Sequence, residues 1–152
     1  MRFFEHPSRP FFVAVCDEAL AVLRDHEQHE INDTEAGGVL IGEQRDRGLT
    51  VTLSTPPQRT DRRSRYRFNR REAGHQQLVE IAWRQSGGQQ SYIGEWHSHP
   101  EPVPTPSFPD RMGWAARSVC VRKALAVIIV GQEELYVGLQ EGLTLTCLAE
   151  TK

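Results

Sequence analysis

The stretch SYIGEWHSHPEPVPTPSFPD, residues 91–110, begins with the composition of a β-strand and runs into five prolines within ten positions, Pro100, Pro102, Pro104, Pro106 and Pro109. Successive side chains of a strand point to opposite faces, so His97 and His99 share a face if SYIGEWH continues through them. Two imidazoles at i and i+2 are a bidentate set for a metal. Each proline fixes φ and removes an N–H, which makes a continuing strand or helix implausible and a pre-organised loop the expectation. Such a loop can return Asp110 to the histidines at low entropic cost. Catalytic zinc typically takes three protein ligands, imidazole and carboxylate both suitable, and leaves one position to water. His97, His99 and Asp110 would make that set. Ser107-Phe108-Pro109-Asp110 also fits a helix capping box, with Ser107 as N-cap and the carboxylate at N3, and those four residues by themselves favour the cap.

Upstream of this stretch, FFVAV (11–15) is a short strand, and Asp17 caps a helix over about 17–29 with Ala19, Leu20 and Leu23 at helical spacing. GGVLIGEQ (37–44) is an apolar strand, and LTVTLST (49–55) is its hairpin partner across Arg47-Gly48. Pro56 to Tyr66 is a loop, RFN re-enters the sheet, and Asn69 caps a second helix over about 70–86. Downstream of the prolines, DRMGWAARSV is a short helix, and ALAVIIVG, ELYVGLQ and LTLTCL are closing strands. This order predicts an α/β or α+β fold, one domain over residues 1–152 with a central mixed sheet flanked by helices.

A chain of 152 residues hides roughly 70% of the surface its unfolded form exposes and needs no covalent staples. Its 18 Lys plus Arg stand against 20 Asp plus Glu, so no global field recommends nucleic acid or an anionic membrane as partner. Cys16, Cys120 and Cys147 lie among apolar neighbours at spacings unlike a zinc or redox motif, and read as small buried thiols in a reducing compartment. No segment approaches the ~20 apolar residues of a membrane span. The expectation is a soluble, cytoplasmic protein.

The run HSHPEPVPTPSFPD is H-x-H, seven residues, S, two residues, D. It resembles the zinc signature of the JAB/MPN/JAMM metallopeptidases, and EAGGVLIG (35–42) resembles their upstream glutamate-bearing strand, in the family's order and over nearly the whole chain. YIGEWHSHP followed by PSFPDRMGW further resembles the compact bacterial deconjugating peptidases of anti-phage operons, CBASS systems among them. The resemblance implies Zn2+ held by His97, His99 and Asp110, with Glu35 as acid and base and Ser107 as oxyanion donor. A metal-acidified water, a nearby carboxylate and a hydroxyl donor are together a peptide-hydrolysing set. The implied reaction is hydrolysis after the C-terminus of a ubiquitin-like protein or similarly conjugated protein, reversing or priming conjugation alongside activating and conjugating enzymes. The extended tail would add to a sheet edge walled by GGVLIG and SYIG, in a narrow channel beside Gly37 and Gly38.

Physics alone does not select Glu35. Glu95, two residues before His97, shares the histidine face and is a rival base or extra ligand, a substrate contact, or an orienting partner of a histidine N–H; the family position favours Glu35. Within the family, processing of a sulfur-carrier-like precursor is an alternative activity. A catalytically silent MPN-type scaffold is another, against which the retention of all these residues argues. A zinc deaminase would require H-x-E followed by P-C-x-x-C, and no cysteine lies near the loop. The seven arginines of residues 59–71 read as a solvated face with Tyr66 and Phe68 alternating into the core, substrate contact being the lesser alternative. HEQHE (26–30) is one residue short of H-E-x-x-H and reads as the wet end of the first helix. Trp96 and Ser98 pack beneath the histidines, and Trp114 joins the core.

Overall fold

The computed structural model describes residues 1–70 and 72–152. In chain order the elements are β1 (Arg2–Glu5), β2 (Phe12–Val15), α1 (Asp17–Arg24), β3 (Gly37–Arg45), β4 (Gly48–Ser54), β5 (Arg62–Ser64), β6 (Arg67–Asn69) and α2 (Glu72–Gln85). They continue as β7 (Ser91–Ser98), α3 (Phe108–Val121), β8 (Leu125–Val130), β9 (Leu135–Glu141), β10 (Thr144–Cys147) and β11 (Ala149–Glu150). A nine-stranded mixed sheet in the order β10-β9-β8-β7-β3-β4-β2-β1-β11 carries the fold, which is α+β, and β5 with β6 forms a separate two-stranded hairpin.

The sheet is covered on both faces, and β8 explains why. Its residues LAVIIV are buried throughout, as expected of a strand with no wet side. Ala126, Ile128 and Val130 pack into one core with Ala19, Leu20 and Leu23 of α1. Val127 and Ile129 turn the other way, onto Trp114 of α3. On that same outer face Val39 and Ile41 of β3 meet Leu78, Val79 and Ala82 of α2. No helix among the described residues is long and apolar enough to cross a membrane.

The two ends of the strand order belong to neighbouring stretches of chain. Only Leu148 separates β10, paired with β9, from β11, paired with β1. The sheet therefore curls until its edges approach, with Leu148 5% exposed at the junction and its N–H bonded to Val137 O at 2.9 Å. Arg2 clasps Glu150 through both carboxylate oxygens, at 2.7 and 2.6 Å, across the same seam.

Several expectations are corrected. Ahead of the strand expected at 11–15, residues Arg2–Glu5 form β1, an element the sequence reading did not include, which pairs with β2. The first helix stops at Arg24, well short of residue 29, and its N-cap is Cys16, not Asp17. RFN does not enter the main sheet: it pairs with β5, and Asn69 closes β6 instead of capping α2. Residue 71, within the helix expected over 70–86, lies outside the described residues. The cysteines are not core thiols; Cys120 sits on the outer side of α3 and Cys147 on the terminal strand β10, both exposed, with Cys16 half-buried.

The seam predicts where stability concentrates. Leu148→Ala should cost about 2–5 kcal/mol, as a large-to-small change at a buried site does. Leu143→Ala, at a residue 83% exposed one turn earlier, should stay within about 0.5 kcal/mol. Urea unfolding of both variants checks this, and equal costs would show that the seam does not hold the sheet.

Candidate metal centre

The strand β7 lies between β3, with Gly37 opposite His97 and Gly38 opposite Trp96, and β8, with Ile129 beside His97. The His99 N–H bonds Val130 O at 2.9 Å, extending this pairing one residue beyond the strand. Both histidines thus stand on the α2 and α3 side of the sheet, the His97 ring 5.7 Å from the Trp114 ring. Trp96 and Ser98 turn to the α1 side, both buried. Trp96 Nε1 donates to Thr55 O at 3.0 Å there.

The proline loop is fastened along its length. Gln132 N–H bonds Glu101 O at 2.8 Å, and the amides of Glu133 and Glu134 both reach Pro102 O at 3.1 Å. Pro104 is buried against Gly131, where a Cβ would come within 2.8 Å of Pro102 O, so this turn needs glycine. The loop delivers the chain to α3 with Ser107 as N-cap. The two readings of Ser107 to Asp110 prove compatible: Ser107 Oγ accepts from Asp110 N–H at 3.2 Å, and Asp110 Oδ2 accepts from Ser107 N–H at 2.8 Å. The same carboxylate lies 3.2 Å from His97 Nε2 through Oδ1 and 3.2 Å from His99 Nε2 through Oδ2.

His97 Nε2 and His99 Nε2 are 3.1 Å apart, closing a triangle with Asp110. Tetrahedral zinc with bonds of about 2.0–2.1 Å separates its ligand atoms by about 3.3 Å. The triangle fits that requirement in both size and donor type. Glu35 forms a second set with the same histidines, its carboxylate and both rings offering atoms within 4.8 Å of one another. Asp110 approaches both rings at 3.2 Å, and Glu35 offers its carboxylate to the same two histidines, so either acid could complete a three-residue metal set. Glu101 Oε2 lies 3.4 Å from His99 Nδ1, on the far side of the ring from the triangle, where it orients Nε2 inward. Sequence reasoning missed Glu101, although an acid at i+2 from a candidate ligand is a readable signal.

The electrostatics divide the groups. Burial disfavours the charge on Asp110, but hydrogen bonds and charge from His97 and His99 outweigh it and hold its carboxyl far below the usual range. His99 is raised, burial working against the stronger attraction of Asp110, Glu35 and Glu101. Burial pushes Glu35 up to about 7, against the opposing pull of the histidines. Its carboxyl, 5% exposed, receives no hydrogen bond from any described residue, so it suits a group that gains and loses a proton. Backbone bonds hold Glu35 in place: its N–H donates to Ser64 O at 2.6 Å, and its carbonyl accepts from Arg63 Nε at 3.0 Å.

Glu95 is placed differently. Arg70 Nη1 donates to Glu95 Oε2 at 2.9 Å, and the Tyr92 hydroxyl reaches the same oxygen at 3.4 Å. It lines the cleft as a paired carboxylate apart from the metal triangle. Gly37 and Gly38 are glycines for close packing: a Cβ on Gly37 would meet the Phe68 ring at 2.6 Å, and one on Gly38 would strike Thr55. Gly38 lines the cleft and Gly37 lies beneath Phe68.

The cleft above the triangle measures about 790 Å³. Its walls are the 66–70 segment on one side and the start of α3 on the other. The arginine-rich stretch is therefore not simply a solvated face, and its aromatics do not alternate into the core: Tyr66 is 77% exposed at the cleft rim. The β3 and β7 strands expected to offer an edge are interior, each paired on both sides. Residues Arg67, Phe68 and Asn69 of β6 line the cleft, and among the described residues β6 is paired on one side only, with β5.

The profile of prokaryotic homologs of the JAB domain matches residues 17–139. A Pseudomonas aeruginosa protein named CD-NTase/cGAS isopeptidase is 39% identical over 126 residues, covering 81% of this chain and 79% of its own length. Proteins of the same name from Escherichia coli and Vibrio cholerae are each 36% identical, the first covering 83% of this chain and 80% of itself, the second 85% and 82%. A solution structure of a protein from Desulfitobacterium hafniense superposes with a TM-score of 0.64 over 90% of both chains at 20% identity, a likeness of fold.

In protein stripped of metal, the His99 and Asp110 shifts predict a pH window. The lowered Asp110 contributes stability above its unfolded pKa near 3.9 and loses it as pH falls through the folded value; the raised His99 contributes below about 6.5 and loses it as pH rises. Both contributions are present between pH about 4 and about 6.5. Asp110→Asn should therefore lower the urea midpoint of chelator-treated protein more at pH 6 than at pH 9. A difference that grew toward pH 9 would refute the pairing.

Proposed function

The chain belongs to the family of prokaryotic homologs of the JAB domain, and on that premise we propose that residues 1–152 act as one domain, a zinc-dependent isopeptidase. It would hydrolyse the bond after the C-terminus of a conjugated protein. The convergence of two histidine Nε2 atoms and the Asp110 carboxylate at 3.1–3.2 Å, with the Glu35 carboxylate within 4.8 Å of the histidine nitrogens, carries this reading. The name shared by the relatives, CD-NTase/cGAS isopeptidase, supports a CD-NTase as that conjugated protein, and the enzymes that build the conjugate as its functional partners.

Zinc, when bound by His97, His99 and Asp110, supplies a Lewis acid and lowers the pKa of a water molecule toward neutrality. Glu35 takes the proton from the attacking water and hands it to the departing amine; a carboxyl whose pKa lies near working pH suits both transfers. Ser107 contributes a hydroxyl donor at the cleft wall. Its oxygen already accepts from Asp110 N–H, so its hydrogen points to another acceptor, and the carbonyl oxygen of the scissile bond is the one that gains charge in the transition state. The buried Trp114 backs His97 and keeps water from that side of the ring. An extended tail entering the cleft would find the open edge of β6 for main-chain bonds, and Glu95 with Arg70 as polar contacts on the wall.

The test uses the Pseudomonas aeruginosa CD-NTase fused at its C-terminus to a fluorescent protein, with a ubiquitin–fluorescent protein fusion in parallel. Wild-type protein should hold about one zinc per chain and release the fluorescent protein from the first fusion. Chelation should stop the reaction and added zinc restore it. Loss of zinc binding in His99→Ala is expected; wild-type affinity there would remove it from the ligand set.

The two glutamates separate by kinetics. Glu35→Gln should retain zinc and lower kcat by about 100-fold to 10,000-fold, the range for loss of a general base. Glu95→Gln should cost less in kcat and show its effect in KM. A zinc-replete but inactive Glu95→Gln beside an active Glu35→Gln would move the base to β7.

A further inference from the structure

The residue at the centre of HEQHE, Gln28, is 1% exposed, although the run around it is polar. Both polar atoms of its side chain, and its carbonyl, are engaged. Gln28 Oε1 accepts from Ser98 Oγ at 2.8 Å, Nε2 donates to Arg65 O at 2.9 Å and Asp33 O at 3.2 Å, and its carbonyl accepts from Gln132 Nε2 at 2.7 Å. Ser98, between the two histidines, accepts from Ala36 N–H at 2.9 Å through Oγ and donates its own N–H to Ala36 O at 2.8 Å. One side-chain amide thus joins the histidine strand, the segment that carries Glu35, and the β5–β6 hairpin. The hairpin closes the circuit by holding both backbone groups of Glu35, through Ser64 O and Arg63 Nε.

A helix or strand would have set Glu35 by its own ladder, but residues 26–36 contain neither. The position of Glu35 relative to the histidines then comes from the backbone bonds of Glu35 and Ala36 to Ser64 and Ser98 together with these side-chain bonds. A fully satisfied buried network holds one arrangement, and removing a member leaves donors and acceptors unpaired in the interior. Resting on the isopeptidase reading, we propose that Gln28 is a positioning residue: through Ser98 and Arg65 it locks the Glu35 segment and the hairpin to the histidine strand. It touches neither substrate nor metal.

The experiment compares Gln28→Met, which keeps the volume and removes the hydrogen bonds, with wild type. Outer partners of a site typically matter by tenfold to 100-fold, so kcat on the CD-NTase fusion should fall by about that factor while KM stays within about threefold. Zinc content should be unchanged. Hydrogen exchange at the Glu35 and Ala36 amides should quicken at least about tenfold while the β8 amides keep their protection. Because Gln28 and Ser98 share one hydrogen bond, the double variant with Ser98→Ala should lose less than the sum of the two single losses, while the loss of the Arg65 bond keeps it worse than Ser98→Ala alone. Unchanged kcat with unchanged exchange at Glu35 and Ala36 would overturn the proposal, as would exchange rising equally in β8, which means general loosening. If wild type does not cleave the fusion, the isopeptidase reading fails, and exchange alone then decides whether Gln28 positions the segment. Should Gln28→Met not fold, Gln28→Glu, which keeps the acceptor toward Ser98 and loses the donor toward Arg65 O, takes its place under the same criteria.

Discussion

The Asp110 carboxylate ties the proline loop and the start of α3 to the histidine strand through its two oxygens. It accepts from the Ser107 amide, so it terminates the proline loop and starts α3, and it lies 3.2 Å from both histidine Nε2 atoms. A capping carboxylate is held near the positive end of a helix dipole and by its backbone donor. The acidity that makes it a good cap also keeps it ionised beside the rings, so secondary structure and site chemistry favour the same protonation state. Moving Asp110 would unseat the first turn of α3, and with it the Trp114 that backs His97.

Two carboxylates face the same cleft and are prepared for different work by their surroundings. Arg70 and the Tyr92 hydroxyl both reach Glu95 Oε2 and fix that side chain on the cleft wall. Glu35 is buried with no such donor among the described residues, and the cost of desolvating its charge brings its pKa near neutrality. Position and partners together separate the two: the Glu35 carboxylate lies within 4.8 Å of ring nitrogens of both histidines, and Glu95 is tied to Arg70.

The sheet and the metal triangle were readable from residue order because each rests on a short-range rule. Alternation put His97 and His99 on one face, the prolines forced a loop, and Ser107 with Asp110 spelled out a cap. The other half of the site obeys no such rule. Glu35 precedes β3 on an irregular segment, so its approach to the histidines depends on contacts with residues 63–65, far along the chain. Gln28 was hidden for the opposite reason: a polar residue in a polar run reads as solvent-facing until tertiary contacts bury it. The hairpin misled in a third way, since alternation in YRF suggested a core face where the chain instead builds a wall, with Phe68 filling the space that Gly37 leaves open.

The seam between β10 and β11 bears on how the molecule is made. Strand β1 takes β11 as its outer neighbour, and the Arg2 to Glu150 ion pair spans 148 positions. Loop closure over such a span comes late and slows folding, as in other proteins dominated by distant contacts. Until β11 docks, β1 carries an unpaired edge, and an open strand edge is a template for pairing with other chains. The short β11 therefore acts as a seal on a sheet whose interior strands can already be paired.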